Sequence, residues 1–598
     1  MSSVKEGLLL ILLVSCSTLI LVYVDMIDAW SFTAEPILFW LPVVLAAAAV
    51  FYAALMIDSK FPVLLVLILA VTLHLVPIVR QPPGIASYTN APYNLELAEH
   101  VLNTGRWDFG YGTSAATARE FSYFPPMFLL QAMFSLILNI PSMTVEKYLI
   151  PLVNALFVVT FYVFVRRFTD SPRLANIAVA FYMVNPMFYS QGAYAHSESY
   201  AIVLFPLVLS YFLVQKGTRT GAAVFIILLG TIAWTHHFTS YMIVLGVLAA
   251  YVLQKISGNV RISTRSLAFV LAFPAAWLSL IALFVLTTHI TMLQIIFSNI
   301  AVEFRPVGFY SSAVPMWYPN DLARFLVTAR NVTLVILTAF ALLEFMSRWK
   351  EVPKPRWRNA FQHYVRHCGR LADTPSRAFL TALLLSFSSL AFAAMFMVQW
   401  GASSSKGGGL GFGDIRIRVT EFLFVPLSVF SAYALASLGA RRFRRIAVII
   451  ILASVVLIPA GIINAYPRDI YNQGYQPIQS SEYTVEPVEK FALGIWVRQT
   501  VAPTTKTFFT GSFMGTYIDG YGHQPGGLET GLYNVTVAET RACEGITVFY
   551  TIDRTNTIIP DAYRRTVDSS TLQVLISRSG RVYDSGNITL YLLPFCEH

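Results

Sequence analysis

Long apolar runs alternate with short polar breaks along most of the chain. Apolar windows stand near 7–24, 37–56, 62–79, 148–165, 173–189, 200–215, 220–236, 238–254, 267–287, 332–346, 379–399, 419–438 and 446–464. Each approaches the length needed to cross a hydrocarbon core, so the pattern predicts about thirteen membrane-spanning helices. After Asn464 the apolar runs end and turn residues multiply, so 466–598 reads as a separate domain. Within it, EPVEKFALGIWVRQTV has Val488, Phe491, Ile495 and Trp496 at helical spacing. TKTFFTG, ITVFYTID, LQVLISRS and RVYDSGNITLYLL read as strands, with Asp584-Ser585-Gly586 as a hairpin turn. The expected architecture is mainly α: a polytopic transmembrane domain over 1–465, followed by a small extracytoplasmic α/β domain over 466–598.

One polar segment, 80–147, interrupts the early spans. In it, Pro92 suits a first helical turn, Gly105 suits a helix end, and Leu95, Ala98, Val101 and Leu102 recur at helical spacing. Glu96, Glu99, His100 and Asn103 follow the same period, which places them on one face, expected to be the wet one. The apolar stretch 127–140 is too short to cross and would reverse the sidedness of Arg166 and Arg167. It is therefore expected to lie at the interface or to re-enter.

Composition fits this pattern: 598 residues, 56% hydrophobic and 12% charged, with a mean hydropathy of +0.61. The net charge of +10 does not call for nucleic acid, because cytoplasmic loops of membrane proteins collect Lys and Arg. With a cytoplasmic N-terminus, Arg166, Arg167, Lys216, Arg219, Lys255, Arg261, Arg265, the tract SRWKEVPKPRWRNAF and RRFRR at 441–445 all fall inside. The segment 80–147, the turn 190–199, His236 and His237, the loops 288–331 and 400–418 and the C-terminal domain fall outside. That topology suits a multi-pass plasma-membrane protein. The first span reads as a retained anchor. Cys543 and Cys596 share the outer domain, where a disulfide is permitted. Sequons stand at Asn331, Asn534 and Asn587, all on the expected outer side.

The candidate chemistry is concentrated in these outer segments. QGAYAHSESY places His196 and Glu198 at the mouth of a span, and AWTHHFTS places His236 and His237 at the same level. Imidazole and carboxylate together suit a divalent metal, either Mg or Mn through the acids or a zinc-like ion through the histidines. A hydrogen-bonded interfacial role explains the same histidines without a metal. WGASSSKGGGLGFGDIRIR lacks the Gly-Lys-Ser/Thr ending of a P-loop and ends on Arg416 and Arg418, a pair able to grip a lipid phosphate. Paired charges buried in mid-span, which a transporter would need, are scarce; Glu344, the main acid inside a span, lies near its cytoplasmic end.

The letters NAPYNLELAEHVLNTGRW and YFPPMFLL resemble the first outer loop of the GT-C superfamily of polyprenyl-phosphate-dependent membrane glycosyltransferases. The ending RVYDSGNITLYLL is similar to the tail of archaeal members. The resemblance implies a sugar transferred from a polyprenyl-phosphate donor to a lipid, glycan or protein acceptor on the outer face. In that family an acid of the first loop is catalytic base or metal ligand; this chain has Asn90 in its place, and an amide is not a base. The role then falls to Glu96, Glu99, Asp108 or Glu120, or to another loop, or the chain is a non-catalytic scaffold. A second acid in the turn before a later span completes the family's site, and Glu198 matches it. A transporter or lipid flippase is the alternative from another class.

Overall fold

The computed structural model describes residues 2–26, 36–79, 91–108, 122–167, 169, 171–185, 188–189, 192–193, 196–214, 219–257, 264, 267–277, 279, positions between 380 and 388, 412–436, 440–465 and five strands between 507 and 593. The described chain is mainly helical. The helices are α1 (Ser2–Met26), α2 (Pro36–Met56), α3 (Phe61–Val79), α4 (Ala91–Thr104) and α5 (Pro126–Leu138); α6 (Ser142–Arg166); and α7 (Pro172–Tyr182), α8 (Ser197–Val214), α9 (Arg219–Thr235), α10 (His237–Ser257), α11 (Phe412–Ala436) and α12 (Ala440–Ala465). The chain divides into two compact units. One holds Met1–Val76, Leu152–Ala193 and Glu198–Tyr471; the other holds Pro77–Pro151, Tyr194–Ser197 and Asn472–His598.

In the first unit the long apolar runs become a helical bundle. α1 packs on α2, α2 on α7 and α12, and α7 on α11. Aromatic rings fill the space where α6 and α7 meet: Phe157 lies 4.4 Å from Tyr182 and 6.0 Å from Phe188, centroid to centroid. Ser171 caps α7 by accepting from the Leu174 amide, and Pro172 occupies its first turn. Arg173 then ties that end to the turn after α2. Its Nε donates to Leu55 O at 2.7 Å, its amide donates to Asp58 Oδ1 at 3.2 Å, and its guanidinium lies 4.2 Å from the Phe443 ring centre.

The outward side chains of these helices are apolar. Val4, Leu8, Ile11, Ile227, Ile449 and Leu452 are all more than 60% exposed. Left in water, each forgoes about 1.5–3 kcal/mol of burial; against hydrocarbon that cost vanishes. By length and composition, Val4–Val22 and Ser142–Arg166 are long and apolar enough to cross a membrane, and the remaining apolar helices are shorter. The spans expected at 332–346 and over most of 379–399 lie outside the described residues.

In the second unit, α4, α5 and the start of α6 pack together, and the C-terminal segment contributes a mixed sheet. Its strands are β1 (Thr507–Phe509), β2 (Gly526–Gly527), β3 (Thr547–Asp553), β4 (Gly580–Asp584) and β5 (Ile588–Leu593), in the order β2-β1-β3-β5-β4. β1 runs parallel to β2 and β3, while β5 is antiparallel to β3 and β4. The sequence-expected strands at 505–511, 546–553 and 581–593 thus contain β1, β3 and the β4–β5 pair. The expected helix 486–501, the strand 572–579, Cys543 and Cys596 lie outside the described residues.

Candidate functional site

α4 forms as its sequence predicts. Pro92 sits in the first turn, and Gly105 follows the last with φ +71°, a left-handed conformation that suits glycine; its amide donates to Val101 O at 2.8 Å. Leu97 and Ala98 pack with Phe128 and Ala132 of α5, flanked by Val101, Leu102, Trp107 and Leu129. Trp107 fixes the following turn by donating from Nε1 to Ser122 O at 2.9 Å.

Glu96 departs from expectation: it is 2% exposed, not on a wet face. Asn94, Leu95, Glu96, Leu97 and Ala98 are all buried. At about 100° per residue, five consecutive positions sweep the full circumference of a helix. Here α4 is enclosed on every side, and a one-sided amphipathic reading fails. Glu99 and His100 are half-buried.

Asp108 is committed to two donors. His100 Nε2 lies 2.9 Å and Arg106 Nε 3.0 Å from its Oδ2. The hydrogen bond from His100, with Arg106 adding its charge and its own hydrogen bond, holds the carboxyl below its ordinary range. Asp108 is therefore a weaker proton acceptor than a free aspartate, which counts against it as the base. Asn90 and Glu120 lie outside the described residues.

A second cluster in this unit escaped the sequence reading. Gln131 of α5 donates from Nε2 to Ser142 Oγ at 3.0 Å and to Glu146 Oε2 at 2.9 Å, with a longer approach to Ser142 O at 3.3 Å. Gln131, Ser142, Glu146 and Lys147 are all buried. Glu146 and Lys147 open the apolar run, and a hydropathy window that starts only at 148 hides their helical setting.

In the bundle unit, Glu198 lies on the first turn of α8 and is fully buried. His236 acts as a helix cap: its Nδ1 lies 2.9 Å from Thr239 Oγ1 and 3.4 Å from the Thr239 amide, three residues into α10. An amide can only donate, so Nδ1 is the acceptor. The His237 ring lies 5.3 Å from that of His236 and 5.8 Å from Tyr241. Phe422 of α11 lies 5.0 Å from Phe205 of α8 and 6.0 Å from Phe238 of α10. That contact joins the helices carrying Glu198, the histidine pair and the arginines. Arg416 and Arg418 lie on the opening turns of α11, which begins at Phe412; the expected loop through 418 is helical from that point. Glu421, on the next turn, is buried, and its carbonyl accepts from Tyr182 OH at 3.4 Å.

His196 is buried just before α8. Among the described residues, no three His, Cys, Asp or Glu side chains come together to hold a metal ion. The expected set of His196, His236 and His237 does not gather there to hold one.

No protein-family model matches the chain, and no curated protein sequence matches it. Solved structures do. ArnT from Cupriavidus metallidurans bound to undecaprenyl phosphate is 10% identical, with 89% of this chain and 97% of that one covered and a TM-score of 0.49. The Archaeoglobus fulgidus oligosaccharyltransferase in its apo form is 15% identical, covering 88% and 70%, with a TM-score of 0.45; the same protein has been solved in complex with Zn and sulfate. The arabinofuranosyltransferase AftD from Mycobacteria is 14% identical, with a TM-score of 0.43, and the match covers 89% of this chain and 40% of that one.

Proposed function

We propose that this chain is a membrane glycosyltransferase that moves a sugar from a polyprenyl-phosphate donor to a lipid, glycan or protein acceptor on the outer face of the plasma membrane. The observation that carries this reading is Glu198: a carboxylate 0% exposed, on the first turn of an apolar helix. Charge so enclosed is costly and marks a working site, and the amide dipoles of a first turn stabilise it.

In the reaction, the acceptor hydroxyl attacks the anomeric carbon as the bond from that carbon to the phosphate oxygen breaks. Glu198 takes the hydroxyl proton. Arg416 and Arg418 hold the departing lipid phosphate and offset its charge. Glu96 and Glu99 of α4 are the first-loop candidates for the acid role that Asn90 cannot fill. If a divalent metal binds, it would offset charge on the phosphate; the described residues do not gather a set to hold it.

The test incubates detergent-purified protein with radiolabelled polyprenyl-phosphate sugars and acceptor lipids, with and without chelator. Release of free polyprenyl phosphate together with a labelled acceptor supports the reading. Donor binding with no turnover under any condition would instead leave a non-catalytic scaffold, the reading that Asn90 keeps alive.

A further inference from the structure

Glu146 occupies an irregular point in the chain. α6 opens at Ser142, and Val145–Leu149 then form a π turn, in which the Ile150 amide donates to Val145 O. Pro151 follows immediately and has no amide to give to the carbonyl four residues back, so an ordinary α register is disfavoured there. π turns of this kind recur at functional sites. On this widened turn Glu146, 3% exposed, meets Gln131 of α5, 0% exposed.

The pair is oddly polar for a purely structural contact. Glu146 Oε1 and Gln131 Oε1 are both buried without a hydrogen-bond partner. Two orphan acceptors cost more than an apolar pair of the same shape would, so stability alone does not account for them. Gln131 also stands between Phe128 and Ala132, the residues of α5 that pack on Leu97 and Ala98 of α4. Glu99 of α4 lies close enough to act electrostatically on Glu146.

We propose that Glu146 is a positioning residue: acting through Gln131 and Ser142, it fixes α5 against α4 and so sets where Glu96 and Glu99 stand. The kinetic part of this inference rests on the transferase reading; the structural part does not.

The experiment measures amide hydrogen exchange over 95–104, and turnover, in full-length protein in nanodiscs, for wild type and for Glu146→Ala, Gln131→Leu, Ser142→Ala and Glu146→Gln. Glu146→Ala and Gln131→Leu are expected to speed exchange across α4 about tenfold, the equivalent of losing one buried hydrogen bond. Both should lower kcat with KM within about twofold. Glu146→Gln keeps the acceptor for Gln131 and adds a donor for Gln131 Oε1, so it should restore both readouts. Should Glu146→Ala fail to fold, Ser142→Ala decides, with an expected rise of about threefold. Unchanged exchange in α4, or a Glu146→Gln as impaired as Glu146→Ala, overturns the proposal. Wild type without turnover on any donor defeats the transferase reading, while the exchange data still decide the role of Glu146.

Discussion

Gly192 lies directly against the ring of His74: a Cβ built on Gly192 would stand 2.1 Å from His74 Nε2. The ring cannot withdraw easily. It is fully buried, and its Nε2 pairs with Phe188 O at 3.0 Å. The glycine is held from the other side, where Asn154 Nδ2 donates to its carbonyl at 3.0 Å. The turn leading to His196 and Glu198 is thus anchored at its start by α3 and α6.

Gly192→Ala is therefore expected to destabilise the protein by about 1–3 kcal/mol through overpacking, read as a lower midpoint in thermal unfolding. Truncating the ring should relieve the clash. In a His74→Ala background the added methyl should cost much less, giving a clear coupling energy in a double-mutant cycle. Additive losses would show that the contact does not govern this turn.

Asp108 makes the acid limb of stability predictable. Its carboxyl is held below the ordinary value of about 3.9 chiefly by the hydrogen bond from His100, with Arg106 assisting. A carboxylate whose folded pKa is depressed adds stability above its unfolded pKa, and that stability is lost as pH falls through the folded pKa. Asp108→Asn should therefore lower the melting temperature most at pH 6–7, and the gap from wild type should close as pH falls through the depressed pKa of the folded state. Arg106 is exposed enough for salt to screen its share, so the gap should also shrink somewhat in high salt. A gap that persists at low pH would assign the loss to packing.

His236 offers a choice between capping and ligation. As the cap of α10, it should tolerate Asn, which also accepts from the amide three residues on. His236→Ala should cost about 0.5–2 kcal/mol of stability, whereas His236→Asn should melt near wild type and keep its turnover. Loss of turnover in His236→Asn, reversed by added zinc or manganese, would restore the metal reading.

These outcomes also mark how far the sequence could be read. Pro92 and Gly105 delimited α4 because helix ends have local signatures, and the Ala98, Val101 and Leu102 stripe did find α5. The burial of Glu96 was not legible, because periodicity reports one packed face and α4 is enclosed on all sides across Asn94–Ala98. Charge and glycine depress hydropathy around Arg416 and Arg418, so the sequence there reads as a loop, yet a helix can begin before its apolar run does, as α11 does at Phe412. Glu146 is hidden in the sequence for a related reason: a hydropathy window begins where the polar pair ends. The cap role of His236 depended on a helix starting at His237, a boundary that the adjacent histidines do not announce.

The most direct measurement is transfer of labelled sugar from a polyprenyl-phosphate donor by wild type and by Glu198→Gln, with donor binding measured on both. The amide keeps the shape of the side chain and removes its ability to take a proton. The expected result is donor affinity within about twofold of wild type and a kcat lower by about 10²–10⁴. Turnover by Glu198→Gln at the wild-type rate would contradict the account.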